Sequence, residues 1–126
     1  MKDPLDHPFF QDVDITQLTI VNFDEEVAKF PDQIIGIFFW GHDCPNCEVA
    51  KNMLHQEADE LDAFNFKWFH VNVYENFELG TRYGLFGVPT FLFFHQGKKL
   101  GRISPFPGTK PFFEALRNLQ EKYRQQ

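Results

Sequence analysis

The run Ile34-Ile35-Gly36-Ile37-Phe38-Phe39-Trp40 is the stretch that most narrows the folds open to this chain. It is continuously apolar rather than alternating. A strand with one wet face alternates, whereas a strand covered on both faces does not, so this run predicts the centre of an α/β sheet. As a helix it is far too short to span a bilayer. Both cysteines follow at once, three residues apart, in Gly41-His42-Asp43-Cys44-Pro45-Asn46-Cys47. Beyond them Val49, Ala50, Met53, Leu54, Ala58 and Leu61 recur at three- and four-residue steps, with Glu57 the one break. This spacing predicts a long helix. Pro45 suits its first position, where an amide hydrogen would have no intrahelical partner.

The flanking segments read as an alternation of strands and helices. Residues 1–17 are read as an amino-terminal arm, whose first fourteen are aperiodic and ordered only where Phe9 and Phe10 find a groove, and 18–126 as one domain. Leu18-Thr19-Ile20-Val21 suits a strand. Asn22 is placed to cap a helix with Asp24, Glu25 and Glu26 in its first turn, and Pro31 stops it. Phe66–Val73 predicts a strand parallel to the central one, because a helix connects them. Glu75–Tyr83 predicts a short helix ended by Gly84. Thr90–His95 and Lys99–Ser104, joined at Gln96-Gly97, predict an antiparallel hairpin. Thr109 is placed to cap a last helix with Phe112, Phe113, Leu116 and Leu119 on one face.

Length and composition bound the function. A chain of 126 residues is about one domain and buries a core without staples. Its 43% hydrophobic and 24% charged residues exclude wholesale disorder. A formal charge of −6 argues against a nucleic-acid partner, since phosphate binding needs clustered Lys and Arg. The segment Met1–Pro8 lacks the apolar core of a signal peptide, so the expected location is cytoplasmic with no membrane contact, although an exported chain already cleaved would read the same. Two cysteines are too few for a disulfide scaffold of this size, which leaves redox chemistry, metal or inert core. Core thiols would not explain a proline at a helix start after the first cysteine. A metal site needs more ligands, and His7, His42, His55, His70 and His95 include no second pair at zinc spacing.

Three local patterns carry a resemblance to the thioredoxin family over roughly residues 18 to 122. They are Trp40 ahead of Cys44-Pro45-Asn46-Cys47, then Tyr83-Gly84-Leu85-Phe86-Gly87-Val88-Pro89-Thr90, and Gln96-Gly97 closing the hairpin. The resemblance implies a thioredoxin-like α/β fold, with a central mixed sheet of four to five strands flanked by helices. It also implies a cis Pro89 facing the cysteines, with Trp40, Val88, Pro89 and Thr90 forming the substrate-binding side.

A thiolate at a helix start is stabilised by unsatisfied amide hydrogens, so Cys44 is the expected nucleophile and Cys47, a turn further in, the resolving thiol. No cofactor beyond the dithiol is expected. Several positions depart from the family, Asn46 between the cysteines among them. Phe38 stands where the family commonly has a buried acid; His70 stands where it has a lysine; and Asp43 replaces an aromatic residue. His70 is therefore a candidate for proton handling near Cys47, because histidine titrates near neutrality, and His42 is a second candidate. The expected activity is reduction of protein disulfides by a monomer. Its expected partners are disulfide-containing proteins and an electron-donating reductase. The alternatives are an oxidase or isomerase of exported proteins, or a thioredoxin-fold binding and assembly module with little turnover.

Overall fold

A computed structural model describes residues 3–124. Its centre is a five-stranded mixed sheet. The strands are β1 (Ile15–Gln17), β2 (Ile35–Trp40), β3 (Lys67–Asn72), β4 (Thr90–His95) and β5 (Lys98–Ile103), in spatial order β1-β3-β2-β4-β5. The first three pair in parallel, while β4 and β5 run antiparallel to their neighbours. Every residue of β2 is buried, as its unbroken apolar sequence requires. Its alternate side chains supply two cores. Phe38 and Trp40 face α1 (Pro8–Asp12), α3 (Pro45–Gln56) and α6 (Thr109–Arg124); Ile35, Ile37 and Phe39 face α2 (Phe23–Val27) and α5 (Phe77–Arg82). Among the described residues no helix is long and apolar enough to cross a membrane.

Several elements sit differently from their sequence expectation. The first strand is Ile15–Gln17, not Leu18–Val21. Leu18 still hands its amide to the His70 carbonyl at 2.8 Å, but the chain then turns, and the Thr19 amide donates to the Asn22 side chain at 2.7 Å. Asn22 therefore spends its oxygen on the turn and gives α2 no side-chain cap. The sheet thus includes residues on both sides of position 17. The long helix breaks at Glu57 (φ −115°, ψ 32°), the one interruption in its apolar spacing, and resumes as α4 (Ala58–Ala63). On α3 Val49 is exposed, whereas Lys51, a charged residue the pattern left outside, is buried.

The amino-terminal segment also packs on the sheet. Phe9 is buried, and Phe10 lies stacked on the His70 ring with centroids 4.0 Å apart. Gly36 marks another close approach: a Cβ there would lie 2.4 Å from the Trp68 ring. That ring is held by Phe66, Phe93 and Phe112 and has little room to move. Gly36→Ala is expected to cost about 1–3 kcal/mol by overpacking, read as a lower urea midpoint at unchanged slope.

Candidate active site

The strand-to-helix junction after β2 carries the cysteines. Cys44 is the N-cap of α3, extended at φ −129°, ψ 99°, and Pro45 takes the first helical position. The Cys47 amide donates to the Cys44 sulfur at 3.1 Å, so a backbone dipole of the helix start points at that sulfur. Cys44 and Cys47 are joined as a disulfide with Cα atoms 5.2 Å apart. Cys44 retains 9% exposure and Cys47 none. Of the two residues, only Cys44 keeps any exposure.

Across from it the Val88-Pro89 peptide is cis. The Val88 carbonyl oxygen lies 3.6 Å from the Cys44 sulfur. Val88 is half-buried, but Pro89 and Thr90 are buried, and the Thr90 hydroxyl donates to the Gly87 carbonyl at 2.7 Å. Trp40 is wholly buried. Of the four residues expected on the substrate side, therefore, only Val88 presents surface; Trp40 and Thr90 shape the site from beneath, because their polar atoms are turned to internal partners. An open groove of about 1030 Å³ runs from Asp43, Cys44 and Pro45 to Val88. Its rim carries Tyr74, Phe77 and the fully exposed Phe86, aromatic side chains that the strand-and-helix pattern did not single out. A separate apolar cavity of about 460 Å³ under α2 lies on the opposite sheet face and contains neither cysteine.

The two histidines differ. His42 is exposed in the loop before Cys44; its Nδ1 accepts from the Asn72 amide nitrogen at 3.1 Å and its ring meets Tyr74 edge-on. His70 is buried, and its Nδ1 accepts from the Trp40 indole N–H at 3.0 Å, which puts the proton of the neutral ring on Nε2. Burial, aided by the positive charge of Lys51, lowers its pKa to about 3. The premise that His70 titrates near neutrality is thus corrected: low polarity around the ring disfavours imidazolium. Because the folded state holds this proton less tightly than the unfolded chain, stability is full above the ordinary value of 6.5 and falls as pH drops toward 3. Against the wild type, His70→Gln is expected to lose much of this slope between pH 6.5 and 3 in urea titrations.

Among the described residues no group of three or more His, Cys, Asp or Glu is placed to hold a metal ion. The chemistry available is that of the cysteine pair itself. A mixed α/β sheet that presents a helix-capping disulfide to a cis-proline loop defines a redox domain of the thiol-disulfide exchange class. A sequence model of the family named Thioredoxin matches residues 14–117. A thioredoxin of Allochromatium vinosum is 33% identical over 94 residues, covering 71% of this chain and 86% of that protein. One from Griffithsia pacifica is 27% identical over 107 residues, 85% of this chain and 94% of the relative. A mutant thioredoxin from Halobacterium salinarum NRC-1 shares the fold at a TM-score of 0.69 and 17% identity, with 84% of this chain and 90% of that one covered. The chain belongs to the thioredoxin family. Its Cys44–Cys47 disulfide is the redox centre of a thiol-disulfide oxidoreductase.

Proposed function

We propose that the protein reduces disulfides of other proteins, with Cys44 as attacking and Cys47 as resolving thiol. The observation that carries this is the asymmetry of the pair: the Cys44 sulfur receives the Cys47 amide at the helix start and its residue keeps slight exposure, whereas Cys47 is wholly buried. In the reduced enzyme the Cys44 thiolate attacks a substrate sulfur, and the substrate disulfide breaks as the mixed disulfide forms. One substrate thiolate leaves and takes a proton. The Cys47 thiolate then attacks Cys44 in that mixed disulfide, releasing the second substrate thiol and leaving the enzyme oxidised as in the structure. Two electrons have passed to the substrate, and a separate electron-donating reductase must return them. Val88 positions the substrate backbone beside Cys44, held in place by the buried cis Pro89, and the aromatic groove receives its flanking side chains.

This direction suits a reducing, cytoplasmic setting. The test is the reduction potential of the Cys44–Cys47 couple, titrated in dithiothreitol buffers. A potential near −270 mV, about the value of thioredoxin, is expected for a reductase. One near −120 mV, about that of a strong dithiol oxidant, would overturn the direction in favour of oxidation of exported proteins. Failure to turn over insulin disulfides with any of several reductants would instead favour a binding module.

A further inference from the structure

Among the described residues Lys51 is the one buried lysine, at 2% exposure, and it stands one helical turn beyond Cys47. Residues four apart on a helix share a face, so its side chain leaves α3 on the same buried side as the resolving sulfur. Nothing in the fold demands a cation there; an alanine or leucine would serve packing at less cost. The charge is nevertheless well held. Its Nζ lies 4.9 Å from the Trp40 ring centroid and 5.3 Å from that of Phe10, both within cation–π reach, and 2.5 Å from Glu48 Oε2. Trp40 in turn donates to His70, and Phe10 is stacked on His70. The result is a closed cluster of three rings and one ammonium against the inner side of the cysteine helix. The residue on β2 where the family commonly has an acid is Phe38, which adds no charge to it.

We propose that Lys51 is a positioning residue for the redox reaction, a buried positive charge that favours the Cys47 thiolate at the moment it must resolve the mixed disulfide. This rests on the reading of Cys47 as resolving thiol. Among the described residues no Asp or Glu is buried, so no buried carboxylate takes the Cys47 proton. A fixed cation on the same helix face assists by favouring the anion left behind. The step needs no further reagent: the Cys47 S–H proton goes to the substrate thiolate displaced in the first attack, the Cys47 sulfur attacks Cys44, the bond between Cys44 and the substrate breaks, and the second substrate thiolate is protonated as it leaves. Phe10, brought in by α1, closes the cluster from outside, which gives the amino-terminal segment a part in the site.

The charges facing Lys51 come from several elements. Glu48 sits on α3 and opposes its effect; neutral His70 sits on β3; His7, Asp3 and Asp6 of the amino-terminal segment and His42 of the preceding loop line the same small cavity of about 310 Å³. Glu48 keeps half its side chain in water, so its opposition is partly screened, whereas Lys51 has no such screening.

The test uses the full chain carrying Cys44→Ser, in which Cys47 is the single thiol, and follows thiolate absorbance near 240 nm against pH. Adding Lys51→Met is expected to raise the Cys47 pKa by about one unit, an approximately tenfold loss of thiolate near neutral pH, and Lys51→Arg is expected to restore it. Adding Glu48→Gln should move the pKa the opposite way, because it removes the opposing charge. Unequal shifts in Lys51→Met and Lys51→Arg with the Glu48→Gln shift downward support the proposal. An unmoved pKa in a folded Lys51→Met chain overturns it; where that chain does not fold, an unmoved or upward shift in Glu48→Gln does so alone. Insulin turnover by the wild type reports separately on the redox reading, so a charge effect without turnover, or turnover without a charge effect, tells the two failures apart.

Discussion

Cys44→Ser is expected to abolish insulin reduction, with kcat/KM lower by at least about a thousandfold in a coupled turbidity or NADPH assay. The reason is local. The helix start stabilises whatever anion its cap residue can offer, and the Cys47 amide already points at the Cys44 sulfur at 3.1 Å. A thiol offers that anion near neutral pH, and a serine hydroxyl in the same place does not. Cys47→Ser is expected to fail differently. Its Cys44 at the helix start can still attack, so a covalent adduct with the substrate accumulates and is seen as a mass increase removable by dithiothreitol. Retained turnover in Cys44→Ser, or an adduct formed through Cys47 in that variant, would overturn the assignment of roles. The burial of Cys47 at 0% exposure makes the second outcome incompatible with the structure described.

How much of this is legible in the sequence follows from which interactions are local. The β2 run, Pro45 at the first turn of α3 and Gly84 at φ +63° all declare themselves within a few residues, because burial period, a missing amide hydrogen and a left-handed backbone are properties of the segment itself. The edge strand is misread because β-propensity favours Leu18–Val21, while the pairing with β3 is settled by contacts some fifty positions away, such as Ile15 against Trp68. The cysteine pair and its proline loop are legible as two separate motifs; their approach, Val88 to Cys44, is a tertiary fact. Lys51 escapes notice because a lysine on a helix is ordinarily solvated. Only its enclosure by Phe10 and Trp40 reverses that expectation, and Phe10 arrives from a segment with no periodicity of its own.

The same enclosure explains why the sheet centre tolerates Phe38. Its ring stacks on Phe91 at 4.9 Å between centroids, takes Phe9 edge-on at 6.1 Å and meets Phe10 at 6.4 Å. These partners come from β4 and from the amino-terminal helix, so the aromatic face joins the first residues of the chain to the middle of the sheet. The face carrying Phe38 is also the one carrying Trp40 and His70, and His70 is its register partner on β3. The depressed His70 pKa follows from burial in this ring-filled layer, with the Lys51 charge adding to it.

Installing the family's acid in this layer, as Phe38→Asp, is therefore expected to be the most damaging single substitution in the core. Removing a buried phenylalanine side chain costs about 3–5 kcal/mol, and burying a carboxyl in its place adds to that cost even with the His70 ring beside it. A domain of this size has only about 5–15 kcal/mol in hand, so the variant should be largely unfolded or close to it at 37 °C. The pH dependence identifies the cause. A carboxyl buried here binds its proton more tightly folded than unfolded, so the stability it retains is present below the ordinary carboxylate range near pH 4 and is lost as pH rises. The gap between variant and wild type, measured by urea unfolding, should accordingly be wider at pH 7 than at pH 4. Phe38→Leu, which keeps the site apolar, should cost much less and show no such trend. A stable Phe38→Asp protein with faster insulin reduction than the wild type would mean that the layer still accommodates a buried acid, and that its aromatic filling is incidental to how this dithiol works.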